Sequence, residues 1–296
     1  MERLDFGRLL TAMITPMDET GEVDYQAAAG LANRLAQTGS DGIVVSGTTG
    51  ESPTLSSQEK EKLFHVVVEA VGGKAAVIAG TGSYDTKASI QLTGIAQRSG
   101  ADGILLVSPY YNKPPQEGLY RHFRAIAEST SLPVLLYNIP SRAGVNIEPE
   151  TLVRLAEIKN IVGVKEASGN LNQVATIRRL CPPDFLLYSG DDSLTLPIMS
   201  LGGVGVISVA SHLVGRRMKE MIEAFAAGQV ATAEKINREL SSLFKALFLT
   251  TNPIPVKAAM NILGQKVGGV RLPLVGLSAE EEQKLRAVLA KTGLLA

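Results

Sequence analysis

The chain of 296 residues has one cysteine, three histidines and no surplus of either charge. Cys181 therefore has no partner for an internal disulfide. His65, His122 and His212 form no ligand-spaced cluster, which argues against a metal-dependent mechanism, and no metal is expected. Lys plus Arg and Asp plus Glu number 29 each and are dispersed, so no basic stripe offers a field to nucleic acid or an anionic membrane. No apolar run approaches the roughly 18 to 20 residues that span a bilayer, because Gly, Ser, Pro or a charge interrupts every one. The opening MERLDFGRLL lacks the apolar stretch of a secretory signal. These absences predict a cytoplasmic protein with small-molecule partners. GTGSYD, after the third apolar run, lacks the G-x-G-x-x-G spacing of a dinucleotide site, and no organic cofactor is expected.

What is present is enough for a large core, at 45% hydrophobic and 20% charged residues. Eight short apolar runs recur, at 7–14, 42–47, 75–80, 103–108, 133–138, 161–165, 185–190 and 203–208. Each is rich in leucine and β-branched residues and is bounded by Gly, Pro or polar residues, as expected for parallel strands buried on both faces. Amphipathic stretches at helical spacing lie between them, at 24–38, 57–71, 85–98, 117–129, 170–180 and 213–226. Ser56 or Ser57 and Asp85 stand where they would cap two of these. The pattern predicts an α/β protein, a (β/α)8 TIM barrel over residues 1–228; a doubly wound open sheet is the alternative. Beyond 228 the strand signal stops and three helical patterns, near 230–248, 253–263 and 279–291, predict a C-terminal helical extension over 229–296.

Barrel chemistry sits at the C-terminal ends of the strands. Those ends read Gly47-Thr48-Thr49-Gly50-Glu51, Pro109-Tyr110-Tyr111-Asn112, Tyr137-Asn138, Lys165-Glu166 and Gly190-Asp191-Asp192. Alternation in IVGVK places Ile161, Gly163 and Lys165 on one face, with Val162 and Val164 on the other. If the first face is the inner one, the Lys165 ammonium is poorly solvated and its pKa falls, which supplies the free amine that attacks a ketone. Alone, a VGVK string more often marks a lysine that snorkels to water. The neighbours point the other way: Tyr137, one strand over, is placed to move protons at hydrogen-bond range. Thr48, Thr49 and the loop amides suit the carboxylate of a 2-oxo acid, and Arg142 in PSRAG suits a second carboxylate or is a solvated loop arginine.

In this order the motifs GTTGE, SPYYNKP, YNIPSRAG, VGVKEASG, YSGDD and TNPIPVK resemble the dihydrodipicolinate synthase family, within the pyruvate-dependent class I lyases and aldolases, over nearly the whole chain. The paired threonines and the SRAG arginine favour the synthase over the sugar-acid aldolases. The resemblance implies that Lys165 forms a Schiff base with pyruvate, that Tyr137 donates and accepts protons, and that Thr48 and Tyr111 complete the relay. It further implies that Thr49 and the main chain at Ile207 hold pyruvate, and that Arg142 binds the carboxylate of L-aspartate 4-semialdehyde. Gly190, Asp191 and Asn252 would line the cavity, and Tyr111 would cross a dimer interface within a homotetramer built as a dimer of dimers. The implied product is 4-hydroxy-tetrahydrodipicolinate, the first committed step toward diaminopimelate and lysine. A related class I lyase with another aldehyde is the alternative; a non-catalytic 2-oxo acid sensor on the same fold leaves the lysine, tyrosine and threonine set unexplained.

The family's lysine-inhibited members share a histidine, an asparagine and a glutamate at an interface pocket. Here those positions read Lys60, Tyr84 and Ala88, while Ser52 and Tyr110 match. A pocket that loses a carboxylate and gains a cation binds a cationic amino acid poorly. Millimolar L-lysine is thus expected to inhibit weakly or not at all, and strong cooperative inhibition in a steady-state assay would contradict this.

Overall fold

The computed structural model describes residues 6–295; the first five residues of the MERLDFGRLL segment and Ala296 lie outside the described residues. Each predicted apolar run carries one strand: β1 (Leu9–Ala12), β2 (Gly42–Val45), β3 (Ala76–Gly80), β4 (Gly103–Val107), β5 (Val134–Asn138), β6 (Ile161–Glu166), β7 (Leu186–Ser189) and β8 (Gly205–Ser208). They pair in parallel in chain order, and β1 also pairs with β8, so the sheet closes and the open-sheet alternative falls. Helices α1 (Tyr25–Gln37), α2 (Ser57–Val71), α3 (Thr86–Arg98) and α4 (Gln116–Ala127) alternate with the first strands. Ser56, not Ser57, caps α2: its hydroxyl accepts from the Glu59 amide while the Glu59 carboxylate accepts from the Ser56 amide at 2.7 Å. Asp85 caps α3 through the Lys87 and Ala88 amides.

Between β5 and β6 lie two short helices, α5 (Pro140–Ala143) and α6 (Pro149–Ala156), which the sequence pattern does not distinguish from loop. The same holds for α8 (Thr195–Ser200), after α7 (Leu171–Leu180). Helix α9 (Ser211–Ala226) follows β8, and α10 (Val230–Ala246), α11 (Ile254–Ile262) and α12 (Ala279–Lys291) complete the chain. Among the described residues no helix is long and apolar enough to cross a membrane.

Two apolar layers follow from strand alternation. The inner one fills the barrel and includes Leu10, Val44, Ile78, Leu105, Leu135, Tyr137, Tyr188 and Ile207; the outer one lies between strands and helices. Strict alternation in β6 fails at its start. Val134 pairs with Ile161 but Leu135 pairs with Gly163, so Val162 is an extra residue at a bulge. Ile161 consequently packs in the outer layer and Val162 against the inner one, opposite to the alternation expected for them; Gly163, Val164 and Lys165 keep the expected faces.

Two buried histidines hold this shell together. The Ile14 amide donates to His212 Nε2 at 3.1 Å, and His212 Nδ1 is 2.8 Å from the Val209 carbonyl, a pair of contacts that requires the neutral ring with its proton on Nδ1. His122 Nδ1 shares a proton with the Thr86 hydroxyl at 2.9 Å. Burial pushes both rings down to about 4 from 6.5. The unfolded chain therefore binds protons that the fold rejects between those values, and stability is full above about 6.5 and lost as pH falls toward 4. Denaturant titrations at pH 7 and pH 5 are expected to differ by about 2 kcal/mol for each ring. Equal stability at the two pH values would show that the rings accept protons in the fold.

Candidate active site

Strands β5 and β6 place Tyr137 and Lys165 in register at the mouth of the barrel, both buried. Lys165 Nζ stands over the face of the Tyr137 ring, 4.2 Å from its centroid. The contact is thus with the ring face, where the sequence had suggested the phenol hydroxyl. Two glycines create this space. At Gly163 a Cβ would lie 2.3 Å from the Leu186 carbonyl oxygen, so β6 and β7 approach there only without a side chain. At Gly190 a Cβ would lie 3.1 Å from Lys165 Cε and 2.7 Å from the Ala167 Cβ. The lysine stem occupies the volume that a side chain at 190 would need.

Burial lowers the Lys165 pKa from 10.5 to about 8; the Asp192 carboxylate opposes the fall and the Arg142 guanidinium adds to it. A neutral amine is therefore available at a pH where an exposed lysine is almost wholly protonated. Burial pushes the Tyr137 phenol up to about 12, while Arg142 and a hydrogen bond with the Thr48 side chain restrain the rise. That phenol keeps its proton at neutral pH and can donate it.

A cavity of about 200 Å³ opens beside Tyr137, lined by Thr48, Tyr137 and Arg142 together with Ser46, Ser52 and Tyr110. Thr49, next to Thr48, is buried: Asn252 Nδ2 donates to its hydroxyl at 2.9 Å, and Arg142 donates to the Asn252 carbonyl at 3.1 Å. Ile207 is buried in the inner layer on β8. The structure thus gathers Lys165, Tyr137, Thr48, Thr49, Arg142, Gly190 and Asn252 around one mouth.

Two further expected residues face other surroundings in the single chain. Tyr111 is 92% exposed, with φ of 73°, and projects into solvent from the single chain. Asp191 caps a short 3₁₀ turn, accepting from the Ser193 amide at 2.8 Å and hydroxyl at 2.7 Å. The acid that acts on Lys165 is its neighbour Asp192, buried, with Oδ2 accepting from the Val209 and Ala210 amides at 3.1 and 2.9 Å. Its Oδ1 is buried without a hydrogen-bond partner. The GDD string contained the right chemistry, but nothing in it says which aspartate turns inward. Asn138 and Glu166 were likewise passed over; directly beyond the Tyr137–Lys165 pair, Asn138 Nδ2 donates to Glu166 Oε2 at 2.9 Å and staples β5 to β6. Among the described residues no three His, Cys, Asp or Glu side chains are grouped to hold a metal ion.

A model of the Dihydrodipicolinate synthetase family matches residues 5–292. The 4-hydroxy-tetrahydrodipicolinate synthase of Heliobacterium modesticaldum is 59% identical over 291 residues, 98% of this chain and 97% of that protein. The enzyme of that name from Desulforudis audaxviator is 57% identical over 292 residues, 99% of each. The crystal structure of DHDPS from Cyanidioschyzon merolae with lysine bound superposes with a TM-score of 0.96 at 54% identity, over 98% of this chain and 99% of that one.

The charges around Lys165 make a prediction of their own. Trapping of a 2-oxo acid on Lys165 by cyanoborohydride should rise with pH through an inflection near 8. Asp192→Asn removes the anion that favours the ammonium and keeps an acceptor for the turn amides, so the inflection moves lower. An inflection near 10.5, or one that moves up in the variant, contradicts the assignment.

Proposed function

We infer the activity from one premise: the chain belongs to the dihydrodipicolinate synthetase family. It acts as a lyase that condenses pyruvate with L-aspartate 4-semialdehyde and releases 4-hydroxy-tetrahydrodipicolinate, on the way to diaminopimelate and lysine. The observation that carries this reading is the buried Lys165 amine, with its depressed pKa, set against Tyr137 at the mouth of the barrel.

In the reaction, Lys165 Nζ attacks the C2 carbonyl of pyruvate. The resulting carbinolamine loses its hydroxyl as water, with Tyr137 as the proton donor, and leaves an iminium ion. Loss of a C3 proton gives the enamine, whose C3 adds to the aldehyde carbon. The substrate amino group then attacks C2 and displaces Lys165 Nζ, which closes the ring and restores the free amine. Because Nζ faces the ring of Tyr137, protons reach the phenol through substrate oxygen atoms. Thr48 hydrogen bonds with that phenol and would connect it to Tyr111 of the partner subunit.

Thr49 and the main chain at Ile207 hold the pyruvate carboxylate, and Arg142 takes the carboxylate of the semialdehyde by a charge-assisted hydrogen bond. Gly190 gives Lys165 its room, and Asp191 and Asn252 border the cavity. A solvent-facing tyrosine held at positive φ supports a homodimer in which Tyr111 completes the neighbouring site, with two such dimers forming a tetramer. The reaction needs only small-molecule substrates and no cofactor, and its place is the cytoplasm.

Incubation with pyruvate and borohydride, followed by peptide mapping, is expected to place a reduced pyruvate adduct on Lys165. Lys165→Arg should abolish the adduct and lower turnover by roughly three orders of magnitude or more. Folded protein that takes up no adduct at Lys165 would overturn the Schiff-base mechanism.

A further inference from the structure

The motif GTTGE ends in Glu51 and the motif TNPIPVK ends in Lys257, and the reaction above uses neither residue. In the fold they meet. Lys257 Nζ lies 2.7 Å from Glu51 Oε1, with side chains 2% and 1% exposed, and also donates to the Gly269 carbonyl. The second Glu51 oxygen accepts from the Arg271 amide at 2.9 Å. Glu51 itself sits in the left-handed region, at φ of 56°, two residues beyond Thr49. A left-handed glutamate is uncommon and persists only when its surroundings over-determine it.

The carboxylate cradle hangs from this residue. The Gly47 carbonyl accepts from the Gly50 and Ser52 amides, at 3.1 and 3.2 Å, and the Thr48 carbonyl accepts from the Glu51 amide at 3.1 Å. The Thr15 hydroxyl donates to the Gly50 carbonyl at 2.7 Å. On the far side Asn252, five residues before Lys257, donates to Thr49 and accepts from Arg142. The segment carrying Asn252 and Lys257 therefore grips the loop at two points, Thr49 and Glu51.

A buried ion pair is a poor device for stability alone. Desolvation of the two charges offsets most of their attraction, and an apolar pair of similar volume is often as stable. What such a pair does provide here, with both Glu51 oxygens accepting and Lys257 donating to Glu51 and to the Gly269 carbonyl, is a fixed geometry. Here the geometry fixed is that of the loop bearing Thr48 and Thr49.

We propose that Glu51 and Lys257 are positioning residues of the 2-oxo acid site: their buried pair sets the Thr48–Thr49 loop in the conformation that receives the substrate carboxylate. The C-terminal segment beyond residue 229 is then part of the binding site. This rests on the function proposed above, in which Thr49 holds pyruvate. Displacement of the cradle weakens carboxylate binding without touching the amine, so the effect falls on pyruvate half-saturation and leaves the maximum extent of labelling of Lys165 unchanged.

The test measures borohydride trapping on the full-length protein as a function of pyruvate concentration, beside steady-state kinetics. Wild-type labelling at Lys165 first establishes the parent mechanism; its absence would sink that mechanism independently of the variants. For Lys257→Met, half-saturation by pyruvate is expected to rise roughly tenfold or more, with maximal labelling retained and KM for the aldehyde within about twofold of wild type. A folded Lys257→Met that saturates with pyruvate as wild type does would overturn the inference, whatever happens to its melting temperature. So would equal losses for both substrates, which indicate a general structural role. Should that variant fail to fold, the double variant Glu51→Gln, Lys257→Met leaves no unmatched charge and is read against the same two outcomes.

Discussion

Folding must place an ammonium group inside a closed sheet, and most of the functional architecture is arranged around that requirement. Lys165 cannot be both fully charged and dry without strong compensation. The surroundings supply part of it: the ring face of Tyr137 and the carboxylate of Asp192 favour the cation. Burial and Arg142 act in the other direction, and the balance leaves the amine near 8. A lysine further compensated would be a permanent cation, and one less compensated would leave the later iminium cation without support. The intermediate position is what nucleophilic catalysis requires.

Closure of the sheet is what keeps that balance stable. Gly163 lets β7 approach β6, Gly190 leaves the stem of Lys165 its channel, and the Asn138–Glu166 hydrogen bond joins the two strands just above the reacting pair. Further round the barrel, Asp192 ties the turn after β8 to the end of β7, while His212 connects that turn to the end of β1. The buried polar groups thus form a ring of ties at the catalytic rim. Below it the barrel is filled mainly by aliphatic side chains, which need only complementary shape.

Much of this was legible from residue order. The eight apolar runs located the strands because parallel strands buried on both faces need continuous hydrophobic sequence, and Lys165 and Tyr137 were recognisable because each breaks such a run at its C-terminal end. The short helices α5, α6 and α8 were not, since one or two turns carry too little periodicity. Ile161 and Val162 were assigned to the wrong faces because a bulge depends on the pairing partner, which local sequence does not contain. The part played by Asp192 was hidden for a similar reason: its inward turn is decided by the Val209 and Ala210 amides, seventeen and eighteen residues away. The Glu51–Lys257 pair spans 206 residues and is visible only when the two motifs are folded together.

Arg142 links the two substrates of the proposed reaction through the same electrostatics. In the empty site its charge lowers the pKa of Lys165 and of Tyr137 together. Its effect on the lysine favours the neutral amine that opens the reaction. Once a carboxylate pairs with the guanidinium, the two fields largely cancel at Lys165, and the positive iminium is no longer opposed. In the proposed reaction, the cation that prepares the nucleophile would therefore be neutralised by the second substrate at the stage where a positive charge on nitrogen has become useful. The contact from Arg142 to the Asn252 carbonyl holds the guanidinium in place, so in the proposed reaction one side chain would favour the neutral amine before pyruvate arrives and receive the carboxylate of the acceptor afterwards.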